Sequence, residues 1–192
     1  DVYLGVGSGS HAQQTGQIMM AMETVYEREA PEAVLVVGDV NSTVAAALTA
    51  SKMGITVVHL EAGLRSYDRT MPEEINRIVT DAISDLCLTS CEDSEANLMR
   101  EGIPQERIRF VGNVMIDTLM SHRERAAALD MLARYGLAAG EYGLVTLHRP
   151  SNVDVPEVLE GIIGALLEVQ GALPLLFAMH PRTRQRLESF GL

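Results

Sequence analysis

The sequence predicts an α/β protein built on a doubly wound parallel sheet. Short apolar or β-branched runs alternate with longer stretches of helical period along most of the 192 residues. One run, Ala33–Val37, is apolar throughout, as in a parallel strand covered on both faces. Polar residues gather just past the ends of these runs, where open α/β sheets bind ligands.

Val2–Val6 reads as a short strand, followed by the turn Gly7-Ser8-Gly9-Ser10-His11 and a helix from about Ala12 to Glu29. A Gly/Ser turn before a helix can hold a phosphate, but GSGSH is not a dinucleotide fingerprint, and connection is the simpler role. Beyond Ala33–Val37 comes Gly38-Asp39-Val40, then an alanine-rich helix over Ser42–Met53, capped by Asn41 or Ser42. Asp39 has two equal readings: a turn residue bonded to nearby backbone, or a carboxylate facing the ligand crevice.

Thr56 restarts the chain as a strand that feeds the densest stretch, Val57–Arg77, VVHLEAGLRSYDRTMPEEINR. Its acids and arginines suit an anionic sugar or phosphate and offer carboxylates for proton transfer. Acids in the first turn of a helix, after a Pro at its first position, are also ordinary partners of the helix dipole. That plainer reading suits Glu74, and the functional one suits Glu61 and Glu73. The helix from Pro72 to about Ser84 carries Ile75, Ile78, Val79, Ala82 and Ile83 on one side. Leu86–Thr89 is a strand, Glu92–Glu101 a polar helix and Ile108–Val111 a further strand.

The break Gly112–Asp117 suits a crossing between domains, dividing the chain into 1–115 and 116–192. Ile116–Tyr135 reads as helical, and Gly143–Leu147 as a strand ending in His148-Arg149-Pro150-Ser151-Asn152. Pro156 opens a helix to about Gln170, and the strand Leu175–Ala178 runs into His180-Pro181-Arg182. A lone histidine is usually structural, but two strand-end His/Arg pairs suggest a diphosphate-binding rim.

A net charge of −11 opposes non-specific nucleic-acid binding, while a local arginine cluster can still reverse the field in a pocket. No apolar run approaches a membrane span and no basic-then-apolar leader precedes the chain, so a cytoplasmic location without membrane contact is expected. Cys87 and Cys91, four apart, make no metal set and are expected to be free thiols. The opening DVYLGVG without lead-in and the closing RQRLESFGL suggest a piece of a longer protein, to which any function belongs.

GDVNST, HLEAGLRS, MPEEINR, VGNVMID and LHRPSNVD, in this order and spacing, resemble the non-hydrolysing UDP-N-acetylglucosamine 2-epimerases of bacteria. The likeness runs through essentially the whole chain, and HxEAGLR followed by PEEINR is a specific combination. It implies a GT-B arrangement of two Rossmann-like domains with the sugar nucleotide in the cleft between them, only partly covered by this chain. It also implies interconversion of UDP-N-acetylglucosamine and UDP-N-acetylmannosamine, by elimination of UDP to 2-acetamidoglucal and re-addition, with no cofactor. The family's catalytic acids correspond to Asp39, Glu61 and Glu73, and its histidine to His148. Arg65, Arg77, Arg149, Asn152 and His180 are the implied substrate-binding residues, with Arg77 holding either the PEE loop or the ligand. A homodimer and an allosteric UDP-N-acetylglucosamine site near Arg149 and His180 are further implications.

Ser151 stands where the family often has glutamate, which bears on that allosteric role. The family's Gly-Thr-Arg-Pro-Glu segment, TGQH loop and uridine-holding DSGG segment do not occur. These residues alone are therefore expected to bind nucleotide poorly and to show no turnover. Three other readings remain: a GT-B glycosyltransferase, a hydrolysing epimerase releasing UDP and N-acetylmannosamine, and a sugar-nucleotide-binding remnant. Three carboxylates and His148 speak against the first and the last.

Overall fold

The computed structural model describes residues 1–192, which form two compact units, Asp1–Ser121 and His122–Leu192. In the first unit, Val2–Val6 pairs with no strand, contrary to expectation. Gly5, at φ +69°, breaks the extended run, and Tyr3 is left 93% exposed. Helix α1 (His11–Glu29) then starts on a capping box. Ser10 Oγ accepts from the Gln13 N–H at 3.3 Å, and Gln13 Oε1 accepts from the Ser10 N–H at 3.1 Å.

Strands β1 (Ala33–Val37), β2 (Thr56–Ala62), β3 (Leu86–Thr89) and β4 (Ile108–Phe110) form a parallel sheet in sequence order. Helices α2 (Asn41–Lys52), α3 (Pro72–Ile83) and α4 (Glu92–Arg100) cross between them. In α2 the alanines do the packing: Ala45, Ala47 and Ala50 are fully buried, and their small size lets α1 approach closely. Tyr26 of α1 accordingly reaches over to donate its hydroxyl to the Ala46 carbonyl at 3.3 Å. Neither Asn41 nor Ser42 caps α2. Val40 is the cap residue, and the Thr43 hydroxyl instead donates to the Val37 carbonyl at 2.8 Å, closing the end of β1.

The core has two parts. Tyr26, Val36, Ala47, Ala50 and Val57 join α1, α2 and the first two strands. Ala62, Cys87, Leu98 and Ile108 join α4 to the other side of the sheet. Strand β1 is covered on one face only: Val36 packs into the core with α1 and α2, while Leu35 and Val37 on the other face are exposed. The apolar side of α3 reaches the core only in part, through Ile83 packed against the first cluster. Glu74, Thr80 and Asp81 are buried, whereas Ile75 and Ala82 face solvent, because the acids find donors inside. Both cysteines are free, and burial, seconded by the Asp81 charge, pushes the Cys87 thiol up to about 12.

The second unit holds a two-stranded parallel sheet, β5 (Gly143–Val145) and β6 (Leu175–Phe177). The stretch expected as one helix divides into α5 (Val114–Ala127), whose residues up to Ser121 belong to the first unit, and α6 (Met131–Tyr135), because Asp130 adopts a left-handed φ of 42° between them. Helices α7 (Pro150–Val153), α8 (Pro156–Gln170) and α9 (Pro181–Phe190) complete it, each opening on a proline. No helix is long and apolar enough to cross a membrane.

Gly63 has the tightest approach in the first unit. Its φ is +80°, and a Cβ there would lie 2.4 Å from the Ser94 carbonyl oxygen and 2.9 Å from Leu98 Cγ. Gly63→Ala is therefore expected to destabilise the protein by about 2–4 kcal/mol through left-handed strain and overpacking, read as a lower urea midpoint at unchanged slope.

Candidate active site

The first unit's polar groups converge where β1 and β2 end. Gly38, at φ +68°, turns the chain out of β1, and both its backbone groups are tied to β2. Its N–H donates to the Leu60 carbonyl at 3.1 Å, and its carbonyl lies 2.8 Å from His59 Nε2. Asp39 follows, with its carbonyl accepting from Asn76 Nδ2 at 2.8 Å and its carboxylate accepting from Arg77 Nε at 2.9 Å. Glu61 sits on a bulge between Leu60 and Ala62, at a φ of 70° that a non-glycine residue seldom adopts. That distortion sets its carboxylate beside the same corner, 3.7 Å from where a Gly38 Cβ would lie.

The acids divide by environment. Glu74 is buried, and it accepts from the Ser66 and Tyr67 N–H groups at 3.0 and 2.9 Å, from the Ser66 hydroxyl at 3.1 Å and from Arg77. Burial pushes its carboxyl up, but those donors and the Arg77 charge prevail and hold it below the ordinary range. Glu74 therefore pins the loop before α3, a larger part than dipole partner. Asp81, also buried, takes His59 Nδ1 at 2.6 Å on one oxygen, and the Gly63 N–H at 3.1 Å and Arg65 at 2.7 Å on the other. Glu61 and Glu73, by contrast, have no hydrogen-bond or ion-pair partner for their carboxylates.

Arg65 turns inward, contrary to its expected place against substrate. Its side chain is 1% exposed, and its guanidinium is shared between Asp81 and a bidentate contact to Glu101 at 2.6 and 2.8 Å. Burial opposes the charge, but Glu101 and Asp81 outweigh it and raise its pKa. With Nε and Nη2 on Glu101 and Nη1 on Asp81 and the Leu64 carbonyl, Arg65 holds the loop. Arg77 bridges Asp39 and Glu74, so it ties the PEE segment to the end of β1.

Glu73 opens onto a cavity of about 310 Å³ lined by His11, Gln14, Asn41, Ser42 and Asn76. An amide relay runs along its wall: Asn41 Nδ2 donates to Gln14 Oε1 at 2.9 Å, and Gln14 Nε2 donates to the Gly7 carbonyl at 3.2 Å. From the sequence the turn through His11 reads as a connection and Asn41 as a helix cap, and neither reading, nor any for Gln14, points to this cavity. The available signal was the set of polar side chains Ser10, His11, Gln13 and Gln14 in the first turn of a helix, facing a strand end.

In the second unit, the Thr183 hydroxyl of α9 donates to the Leu147 carbonyl at the end of β5. This brings His148 beside His180, with ring centroids 5.6 Å apart. His180 caps α9, its Nδ1 accepting from the Arg182 N–H at 3.1 Å. Arg182 and Arg186 close on Asp154, whose carboxyl they hold below its ordinary range through their hydrogen bonds. Arg149 stands at the start of α7 with its residue exposed, and Asn152 lies just inside that helix, half-buried.

The model of the UDP-N-acetylglucosamine 2-epimerase family matches residues 1–191. The chain belongs to that family. It is 44% identical over 194 residues to a UDP-N-acetylglucosamine 2-epimerase homolog of Methanococcus maripaludis, a match covering 98% of this chain and 53% of that protein. A UDP-2,3-diacetamido-2,3-dideoxy-D-glucuronate 2-epimerase of Pseudomonas aeruginosa is 42% identical over 196 residues, covering 100% of this chain and 54% of that protein. The crystal structure of Methanocaldococcus jannaschii UDP-GlcNAc 2-epimerase in complex with UDP-GlcNAc and UDP matches with a TM-score of 0.88 at 42% identity, over 98% of this chain and 53% of that one. The Neisseria meningitidis enzyme bound to UDP-GlcNAc matches at 0.84 and 30% identity, over 95% of this chain and 52% of that one. The chain thus spans about half the length of the epimerases it matches, and its α/β fold with parallel sheets is theirs.

Glu74 makes the stability of this epimerase-family chain depend on pH. Its folded pKa lies below the ordinary 4.5, so its contribution is complete above about pH 4.5 and is lost as pH falls through the lower folded value. Glu74→Gln is expected to cost about 1–3 kcal/mol at neutral pH and to lose less stability than the parent below about pH 4.5, read by urea denaturation across pH.

Proposed function

We propose that the protein carrying this chain is a UDP-N-acetylglucosamine 2-epimerase of the non-hydrolysing kind, interconverting UDP-N-acetylglucosamine and UDP-N-acetylmannosamine. The observation that carries this reading is the gathering of Asp39 and Glu61 at the Gly38 corner, with Glu73 on the helix that holds Asp39. Family membership supports it.

The C2 proton of an N-acetylhexosamine is not next to a carbonyl, so direct deprotonation is unfavourable. In the proposed route a base takes the C2 proton while the C1–O bond breaks, giving 2-acetamidoglucal and UDP. UDP then returns to C1 as a proton is delivered to the opposite face of C2. Asp39, Glu61 and Glu73 supply the base and acid, and the unpartnered Glu61 and Glu73 are the carboxylates free to exchange protons. His148, Arg149, Asn152 and His180 meet the diphosphate, whose departing charge suits two histidines at the start of α9 and an arginine at the start of α7. Arg77 keeps Asp39 in place and Arg65 keeps the loop, so neither needs to touch the sugar. A cytoplasmic homodimer, and an allosteric UDP-N-acetylglucosamine near Arg149 and His180, belong to the same proposal.

A second reading changes the sugar and keeps the reaction. The Pseudomonas aeruginosa relative is named for a 2,3-diacetamido-2,3-dideoxy-glucuronate substrate at 42% identity, so that nucleotide sugar belongs in the same assay.

The test is proton NMR of the complete protein in D2O with each UDP-sugar. Deuterium at C2 with the C2 epimer still bound to UDP is the expected result. Free N-acetylmannosamine with UDP would transfer the protein to the hydrolysing branch, and a retained C2 proton with both sugars would overturn the proposal. Glu73→Gln is expected to lower kcat by about 10²–10⁴-fold, the range for loss of a general acid or base, with its urea midpoint little changed.

A further inference from the structure

His59 is wholly buried, with each ring nitrogen facing an oxygen. Nε2 lies 2.8 Å from the Gly38 carbonyl, which can only accept, so Nε2 carries a proton. Nδ1 lies 2.6 Å from Asp81 Oδ1, the short separation of a charge-assisted bond. The other Asp81 oxygen already accepts from Arg65 and the Gly63 N–H, which favours the anionic carboxylate.

What the ring holds is specific. Gly38 is the pivot of the β1–α2 turn, its N–H and carbonyl both tied to β2, and Asp39 is the next residue. Two positions along β2 from His59 lies Glu61, on the bulge. The same ring thus grips the turn before one carboxylate from the strand that bears the other.

We propose that His59, doubly protonated between Asp81 and the Gly38 carbonyl, is a positioning residue for the reaction, fixing the turn that presents Asp39 beside Glu61. It touches no reacting atom. This inference rests on the epimerase reading for its effect on rate, but not for the state of the ring.

Two substitutions separate the bonds. In His59→Gln the side-chain amide reaches as far as Nε2 and keeps a donor toward Gly38. In His59→Asn the shorter amide keeps a donor toward Asp81 and leaves the Gly38 carbonyl bare. In the complete protein, His59→Asn is expected to lower kcat about 10²-fold with KM nearly unchanged, and His59→Gln to recover most of that loss. Equal kcat in His59→Asn and the parent, or equal losses in both variants, would overturn the positioning role.

Nitrogen NMR of the parent labelled with 15N-histidine decides the ring itself at neutral pH, the His59 signals being those missing from His59→Gln. Two protonated-type nitrogens are expected, and one unprotonated-type nitrogen would overturn the assignment. Hydrogen exchange at the Gly38 amide should be faster in His59→Asn than in His59→Gln, and the same rate in both would overturn the clamp. If the parent epimerises no UDP-sugar, the functional reading fails, while the nitrogen and exchange measurements still decide the clamp.

Discussion

The Asp81 carboxylate is the point on which the first unit's polar architecture depends. It is buried on α3 and receives donors from His59 on β2, Gly63 at the exit of β2 and Arg65 in the following loop. A buried charge costs several kcal/mol unless its lone pairs are filled, and here both oxygens are occupied. The arrangement therefore yields geometry more than net stability. Its donors come from the strand, its exit and the following loop, so the one carboxylate fastens helix, strand and loop together.

From that anchor the remaining acids acquire different characters. Glu74 is saturated by backbone donors and Arg77, which settles it as a fastening. Asp39 is held by Arg77 but remains partly open, its side chain 35% exposed. Glu61 and Glu73 have open lone pairs. A carboxylate held by four donors moves protons poorly, whereas one at a bulge or a cavity wall is free to do so. The bulge strain at Glu61 persists because the backbone on both sides is over-determined, by Gly38 bonding to Leu60 and by Asp81 bonding to Gly63.

The second unit solves a similar problem with less charge. A buried hydroxyl, Thr183, joins the start of α9 to the end of β5, and two histidines far apart in sequence become ring neighbours. Asp154 gathers Arg182 and Arg186, which leaves Arg149 as a cation of that rim without a carboxylate partner.

The sequence by itself determined the order and type of nearly all elements, because hydrophobic period, proline starts and glycine stops are local properties. Strands β1, β3 and β4 and helices α1, α3 and α8 lie within a residue or two of their expected bounds, whereas β2 runs on through His59 and Glu61 to Ala62, past the β-branched run Thr56–Val58. It also marked the strand ends at Asp39, Glu61 and His148 as polar and unusual for their surroundings. Only the tertiary structure decided what each polar side chain does there. The partners of Asp81 lie 22 residues away at His59 and 18 at Gly63, and those of Arg65 lie 36 away at Glu101. Whether a charge faces solvent or a partner depends on such distant groups, so the burial of Arg65 and Glu74 and the exposure of Ile75 and Ala82 on α3 had no local signal. The unpaired Val2–Val6 run and the bare face of β1 have the same origin, since a strand is made by its neighbours as much as by its own residues.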